Sequence, residues 1–430
     1  MLIGCLRRRI AGLFAWRPGR LARGALAMTV GMGLRTLAQA GVFLIVARVL
    51  GIEAYGAYAA VLALAGGLGS FAGLGVSMLM LRDTARDANA FAAAWGRTLA
   101  ALVFTAPVLW LAYGLIAWVA LPGGIPWAVV AWIGVAELIF APIALVSIHA
   151  YQGHERIGRA ARLVMAPVLP RLAAALLFIP LALLLAPGVR LQAWAALYVL
   201  AAASAAAYAM WLVRRDLGVD FRPIWADLGR SMREGWAFAV GGSALKLYAD
   251  IDKTLLARLS TLEAAGAYSV AYRVADMASL PLNSLLAAAV PRVFRAGEQG
   301  VHHAGRYALR LLPLPLAYTA AIGGVLYFIA GWLPWVLGQS FAPAVEALRW
   351  LAWLPLISLP RLFMQTTLIG GDRQGLLAAV LGVGAALNIL LNLWAIPRWG
   401  WQGAVGATYA AEIVMSGILI LLIPRWRGAR

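Results

Sequence analysis

Long apolar segments are the feature that most limits what this chain can fold into. Runs of about 20 predominantly apolar residues recur along nearly the whole sequence, and this is the length at which an α-helix crosses the hydrocarbon core of a bilayer. Only 12% of the residues are charged, about half the share found in soluble domains. The strands of a transmembrane barrel would alternate apolar and polar residues, which these runs do not. The sequence therefore predicts an all-α integral membrane protein.

Roughly twelve membrane-spanning helices are predicted. They cover residues 25–47, 54–81, 98–120, 125–148, 163–186, 190–213, 235–257, 264–290, 311–331, 345–368, 376–396 and 402–423. Residues 1–24 precede them as a basic segment. A cleaved signal peptide is rejected because the small-residue site Ala25-Leu26-Ala27 comes before the apolar run instead of after it.

The arginines predict the orientation of the chain. The connections on one side of the predicted membrane carry most of them, whereas the other side has only Arg48, Arg190, Arg258 and Arg398. Basic loops stay in the cytoplasm, so both termini and the linker 214–234 are predicted to be cytoplasmic. The net charge of +19 lies in short loops and not in a basic domain, and no nucleic-acid partner is expected.

One phrase occurs twice in the chain. "ARVLGIEAYGAY" ends at Tyr58, and "ARLSTLEAAGAY" ends at Tyr268, 210 residues later (268 − 58). Six predicted helices separate the copies, so both halves cross the membrane in the same sense, as in a parallel repeat about an axis along the membrane normal. The predicted domains are an N-lobe, 25–213, and a C-lobe, 235–430. The tyrosines of the phrase are expected at the headgroup interface.

Several kinds of chemistry are not supported. A nucleotide-binding Walker motif needs Gly-Lys, but the two lysines, Lys246 and Lys253, follow Leu and Asp. The single Cys5 excludes an intramolecular disulfide. Asp250-Ile251-Asp252 has the metal-binding D-x-D pattern, yet residues two apart on a helix point about 200° away from each other. We therefore predict no catalytic residue, no cofactor and no metal site.

Ionisable residues inside the predicted spans are the candidates for function. A charge at the bilayer centre costs at least about 2.5–3.5 kcal/mol, and such residues usually face a bundle interior or a wet cavity. The candidate cations are Arg35, Arg171, Lys246, Lys253, Arg273 and Arg361. The candidate acids, which could couple transport to an ion, are Glu137, Asp250, Asp276 and Glu412.

Two interpretations of these residues remain open. Lys246 with Asp250 and Arg273 with Asp276 could pair locally along a helix, as struts without a transport role. Arg35, Arg171 and Arg361 have no acidic neighbour on the same helical face. An excess of buried cations predicts an anionic guest. Lys246, Asp250 and Lys253 share one narrow helical face, and Asp250 and Arg273 are expected at similar depth in one polar pocket.

Two segments resemble a known family. "VARVLGIEAYGAYAAVLAL" (46–64) with "GLGVSMLMLRDTARD" (73–87) looks like the opening of the polysaccharide-unit flippases, the Wzx type of the MOP exporter superfamily. "YADIDKTLLARLSTLEAAGAYSVAYRVADMASLPLNSLLAAAVPRVFR" (248–295) looks like the start of their second half. The resemblance covers roughly residues 25 to 430.

The resemblance implies a fold and a substrate. The fold is two six-helix lobes around a central cavity that opens alternately to each side, as in MATE-like transporters. The substrate is an undecaprenyl-diphosphate-linked oligosaccharide, moved to the periplasmic leaflet of a bacterial inner membrane, with its diphosphate held by cavity cations. The implied partners are membrane lipids and the glycosyltransferases and polymerase of the same pathway, with H⁺ or Na⁺ as open choices for a coupling ion.

Three other functions compete. A cation- or drug-exporting relative would favour acidic cavity residues, against the arginine excess. A major-facilitator transporter also has six plus six helices, but its usual Gly- and basic-rich second loop is not evident in residues 82–97. A membrane glycosyltransferase or polymerase would need a sizeable outer loop with acids, and the longest predicted outer loop, 332–344, has none.

Overall fold

A computed structural model describes residues 20–297, 309–370 and 374–422. Within these ranges the chain is helical almost throughout and contains no strand, which confirms the predicted all-α class. Most of the basic segment 1–24 and the C-terminal arginines from Arg425 onward lie outside the described residues.

The described part of the first half contains nine α-helices. They are α1 (Arg20–Leu50), α2 (Ile52–Gly69), α3 (Val76–Arg86), α4 (Phe91–Ala120), α5 (Trp127–Val135), α6 (Ala141–Gly153), α7 (Ile157–Met165), α8 (Val168–Leu184) and α9 (Pro187–Leu217). A π-helical turn, Ala136–Phe140, joins α5 to α6. π-Helical turns of this kind are frequent at functional sites.

The described part of the second half contains eight helices. They are α10 (Leu228–Leu259), α11 (Leu262–Gly297), α12 (Pro313–Ile329), α13 (Leu333–Leu337), α14 (Pro343–Leu351), α15 (Leu354–Ile357), α16 (Leu359–Gly370) and α17 (Gln374–Leu422). α17 contains a sharp bend at Gly400, where φ is 55°. The bend falls between the predicted spans 376–396 and 402–423.

Three of the predicted helices are broken, and one of them is the predicted span 163–186, which is divided between α7 and α8. The predicted span 54–81 is interrupted between α2 and α3, where Gly73, Leu74 and Gly75 have φ of 68°, 44° and 74°. Left-handed backbone of this kind ends a right-handed helix. The predicted span 345–368 is three short helices, α14 to α16, and proline occupies the first turn of α14 and α15.

The surface is that of a membrane protein. Eight helical segments of the described chain are long and apolar enough to cross a bilayer. Large apolar side chains are exposed along them, among them Leu111, Leu184 and Phe328, and lipid can cover these side chains. α10 and α11 are long enough to span but carry the ionisable residues singled out above. The arrangement of twelve spans in two lobes stays a prediction.

The two repeated phrases contact each other. A Cβ on Gly56 of α2 would lie 2.0 Å from the carbonyl oxygen of Leu262, and a Cβ on Gly266 of α11 would lie 2.1 Å from the carbonyl oxygen of Ile52. Each residue of one contact is 210 positions from its counterpart in the other. A two-fold relation between α2 and α11 would produce such reciprocal contacts. We call this end of the molecule the repeat end.

A second pair of side chains follows the same spacing. The rings of Tyr58 and Tyr198 lie 5.9 Å apart, and the hydroxyls of Tyr268 and Thr408 lie 3.4 Å apart. The second pair again follows the first by 210 residues. The expectation that these tyrosines lie at the headgroup interface is wrong for Tyr55, Tyr58 and Tyr268, which are all buried against other helices.

The other end of the molecule carries the arginine-rich connections. α9 extends to Leu217 and α10 starts at Leu228, so the segment between them is shorter than the predicted linker 214–234. It packs against the first half, where the Ile224 amide donates to the Gly96 carbonyl at 2.9 Å. We call this the arginine-rich end.

Candidate functional site

A cavity of about 570 Å³ lies between the two halves. Helices α1, α2, α8, α9, α10 and α11 and the π-helical turn line it. Four predicted cations and three predicted acids face it, namely Arg171, Lys246, Lys253, Arg273, Glu137, Asp250 and Asp276. Asp250 and Arg273 therefore lie in the same polar cavity, as their predicted depths suggested.

Lys253 lies at the centre of the wall formed by α10 and α11. Its Nζ donates to Asp250 Oδ1 at 2.9 Å and lies 3.4 Å from Asp252 Oδ1. The same ammonium lies 4.2 Å from the centre of the Tyr272 ring. Both carboxylates of the D-x-D pattern reach this lysine because its long side chain lies between them. The charge of Lys253 is therefore balanced by carboxylates of its own helix, α10.

Behind this cluster, Asp252 is buried and takes part in a second contact. The Tyr268 hydroxyl donates a short hydrogen bond to Asp252 Oδ2, and Thr408 of α17 lies next to that hydroxyl. The cavity lysine is thus connected through Asp252 and Tyr268 to α17.

Lys246 and Arg273 differ from Lys253. Among the residues that the structure describes, neither has a carboxylate within 4.0 Å, and both side chains are exposed to the cavity. The predicted local pairs Lys246–Asp250 and Arg273–Asp276 are therefore not formed. Lys246 and Arg273 are therefore cations of the cavity without an acidic partner among the described residues.

The opposite wall holds a three-residue network. The Tyr198 hydroxyl donates to Glu137 Oε1 at 2.6 Å, and Arg171 Nη2 lies 3.5 Å from the same oxygen. The Arg171 guanidinium also lies 4.6 Å from the centre of the Tyr198 ring. Arg171 has no acidic neighbour on its own helix, as the sequence indicates, and its acidic partner Glu137 comes from the π-helical turn instead.

Glycines of α2 bring the two walls together. A Cβ on Gly66 would lie 3.3 Å from Lys246 Nζ and 3.7 Å from Glu137 Oε2, and one on Gly69 would lie 2.5 Å from the Glu137 backbone oxygen. The π-helical turn that carries Glu137 can therefore pass close to α2 only because small residues lie there.

Arg361 and Glu412 lie apart from the main cavity. Arg361 donates to Glu412 from Nε at 2.6 Å and from Nη2 at 3.0 Å, and the Tyr248 hydroxyl donates to the same carboxylate at 2.8 Å. Arg361 too lacks an acid on its own helix and is paired with one from a different helix. Both residues line a smaller pocket beside the cavity.

Arg35 is the predicted cation that lines neither cavity. Its side chain is half-buried, and its Nε has no hydrogen-bond partner among the described residues. It was selected for its depth along α1 alone, and depth does not determine which face of a helix turns toward a cavity.

The sequence interpretation missed the aromatic part of the site. Tyr58, Tyr198 and Tyr272 line the cavity, but buried tyrosines do not stand out in a chain that is 63% hydrophobic. Asp252 was discounted because it points away from Asp250. The 210-residue spacing could have selected Tyr268, since that residue closes the second copy of the repeated phrase.

The cavity charges are nearly balanced. Four cations face three carboxylates, and Asp252 lies directly behind the lining. Of the cations predicted to exceed the acids, the two in the cavity that have no acidic partner are Lys246 and Arg273. Selectivity for an anion would come from these two positions and not from the cavity as a whole.

Comparison with known proteins identifies the family. A family model described as polysaccharide biosynthesis protein matches residues 21–296, more than half of the chain. No match was found among curated protein sequences.

Several solved structures share the fold. An inward-facing multidrug resistance MATE family transporter of the MOP superfamily has a TM-score of 0.70 at 15% identity, covering 91% of this chain and 94% of its own. The lipid II flippase MurJ in an inward closed conformation has a TM-score of 0.71 at 9% identity, covering 93% and 87%. An outward-facing MATE transporter has a lower TM-score of 0.56 at 17% identity, covering 94% and 95%.

Proposed function

Because the chain belongs to the polysaccharide biosynthesis protein family, we propose that it is a flippase for an undecaprenyl-diphosphate-linked oligosaccharide. It moves this substrate from the cytoplasmic to the periplasmic leaflet of a bacterial inner membrane. The fold shared with a lipid II flippase and with MOP-superfamily transporters supports this assignment.

The observation that carries the proposal is the pair of unpaired cations in the central cavity. Lys246 and Arg273 face it with no carboxylate within 4.0 Å among the described residues. A diphosphate supplies acceptor oxygens for both, and the planar guanidinium of Arg273 can hold two of them at once. Hydrogen bonds between charged groups are stronger than those between neutral groups. They can therefore offset the hydration that a diphosphate loses when it enters the cavity.

Alternating access supplies the movement. At the repeat end, α2 and α11 are in contact at Gly56 and Gly266, and in the proposed mechanism this contact closes the cavity toward that end. Separation of α2 from α11 would open the cavity toward the periplasm.

Asp250 offers a route to ion coupling. It holds Lys253 at 2.9 Å, and a bound diphosphate would compete with it for that ammonium. The displaced carboxylate could then exchange H⁺ or bind Na⁺, so that substrate and ion exclude each other. Asp276, Glu137 and Glu412 are the other acids of the two cavities.

A cation exporter is the second candidate. It is favoured by the three carboxylates that line the cavity and by the fold shared with a multidrug resistance transporter. In that case Asp276, which has no ion-pair partner among the described residues, would bind the guest.

Reconstitution distinguishes the two functions. Purified protein in proteoliposomes is given a fluorescent polyprenyl-diphosphate-linked oligosaccharide, and its movement is followed with a membrane-impermeant quencher. We expect movement faster than in protein-free vesicles, without ATP. Movement at the protein-free rate, together with export of the cationic dye ethidium, would favour the exporter and reject the flippase.

A further inference from the structure

A side pocket of about 180 Å³ adjoins the central cavity. It lies among α10, α11, α15, α16 and α17. Ala249, Tyr272 and Asp276 line both spaces, so the two meet at these residues. Its volume has room for about six water molecules at about 30 Å³ each, which is the scale of one monosaccharide ring and not of a chain.

The pocket is not built for a phosphate. Its arginine, Arg361, already donates two hydrogen bonds to Glu412, and Asp276 adds a negative charge at the mouth. An anion entering here would meet a neutralised guanidinium and a repelling carboxylate. The diphosphate site and the side pocket therefore differ in electrostatic character.

The free polar groups of the pocket suit hydroxyl groups. Asp276 and Asn283 have no hydrogen-bond partner among the described residues. Ser279 donates to the Ala275 carbonyl at 2.9 Å and keeps its oxygen lone pairs free. A carboxylate and a hydroxyl oxygen accept hydrogen bonds, and an amide both donates and accepts. These groups match a ligand with several hydroxyls.

Aromatic side chains complete the lining. Tyr248 and Tyr272 line the pocket, and their rings offer apolar faces beside polar hydroxyls. A sugar ring has the same two-sided character, with C–H groups on its faces and hydroxyls around its edge. The combination of two tyrosines, a carboxylate and an amide is therefore suited to a carbohydrate.

The position of the pocket relative to Arg273 identifies which sugar it would take. Arg273 and Asp276 are three residues apart on α11, so their side chains lie on neighbouring positions of one helical face. In a lipid-linked oligosaccharide, the first sugar is bonded directly to the diphosphate. We propose that the side pocket binds this first sugar while Lys246 and Arg273 hold the diphosphate, an inference that rests on the proposed function.

The test compares two ligands on the same purified protein. Binding is measured for polyprenyl diphosphate alone and for polyprenyl diphosphate that carries one sugar, with glucose, galactose, N-acetylglucosamine and N-acetylgalactosamine tried in turn. The readout is the Kd of polyprenyl diphosphate alone divided by the Kd of the sugar-carrying ligand. Effects that are common to both ligands cancel in this ratio. We expect at least one sugar to tighten binding by about three- to tenfold for each hydrogen bond gained.

Three variants report on the pocket. Asp276→Asn and Asn283→Ala should each lower this ratio about three- to tenfold, and Ser279→Phe should bring it close to one by filling the pocket. Ser284→Phe is the matched control, since Ser284 is exposed on the same helix and lines neither cavity. It should keep the wild-type ratio.

The outcomes separate this inference from the proposed function. If wild-type protein binds neither ligand, the flippase proposal itself fails. If it binds polyprenyl diphosphate but no sugar improves the affinity, the side pocket does not bind sugar. Wild-type ratios in the three pocket variants would also overturn the inference. So would variants in which only the dependence of flipping on Na⁺ or H⁺ changes, because that result would assign the pocket to a coupling ion.

Discussion

At the scale of single residues, the ion pair between Arg361 and Glu412 is the contact whose disruption should destabilise the protein most. Their side chains are only 11% and 4% exposed, and they connect α16 with α17. A buried ion pair is often close to neutral relative to well-packed apolar residues, but removing one partner leaves an uncompensated charge. Removing one partner should therefore lower the free energy of unfolding much more than replacing both partners with apolar residues.

We predict that Glu412→Leu alone lowers the free energy of unfolding by about 3–5 kcal/mol. The double variant Arg361→Met/Glu412→Leu should lose much less, because no charge is left buried. Thermal unfolding in detergent, followed by tryptophan fluorescence, measures the two single variants, Glu412→Leu and Arg361→Met, and the double variant. A double variant whose loss equals the sum of the two single losses would show that the two residues are not coupled.

The sequence identified individual charged residues better than it identified their partners. Periodicity placed Lys246, Asp250 and Lys253 on one face of a helix, and all three line the cavity. It could not pair Arg171 with Glu137, because spacing along the chain carries no information about which helices are neighbours. The face that Arg35 presents could not be predicted for the same reason.

At the scale of helices, the contact between α2 and α11 is the feature that should control access. Gly56 and Gly266 allow the two backbones to approach until a Cβ would overlap a carbonyl oxygen. A larger residue at either position must push the helices apart. In the proposed mechanism this would keep the repeat end open.

We predict that Gly266→Val increases labelling of the cavity from the repeat end. The reporter is Ala249→Cys, which lines both cavities, in a Cys5→Ser background with an impermeant thiol reagent. Gly241→Val is the matched control, because a Cβ on Gly241 meets nothing within 4 Å. Equal labelling in the two backgrounds would contradict a closing role for this contact.

Helix positions were predicted more accurately than helix interruptions. The predicted spans 190–213 and 235–257 lie inside α9 and α10. Long apolar runs locate such helices because a segment that crosses the bilayer must be apolar over its length. The break at Gly73 to Gly75 was missed because it depends on left-handed backbone angles, and glycine also occurs inside unbroken membrane helices. The aromatic lining was missed because tyrosine is ordinary in such a chain.

At the scale of the whole molecule, the distribution of arginine predicts the orientation in the membrane. The connections at the arginine-rich end are held together by ion pairs such as Arg159 with Asp216, at 3.3 Å. The repeat end carries few basic residues. Basic connections remain on the cytoplasmic side, so the segment between α9 and α10 should be inaccessible from outside the cell.

We predict that Asp220→Cys, in the Cys5→Ser background, is not labelled when an impermeant reagent is added to intact cells. Thr261→Cys, which is exposed at the repeat end, should be labelled under the same conditions. Permeabilised cells provide the control for reactivity at position 220. Labelling at 220 and protection at 261 in intact cells would reverse the orientation.

The central claim is that Lys246 and Arg273 hold the diphosphate of a lipid-linked oligosaccharide, and the rate of flipping in proteoliposomes tests it most directly. Lys246→Ala and Arg273→Ala should abolish flipping while the proteins remain folded. Arg273→Lys should recover part of the rate, because it keeps the charge but not the planar fork. Arg258→Ala, an exposed position on the same helix as Lys246, should behave as wild type. Wild-type rates in both alanine variants would contradict the account.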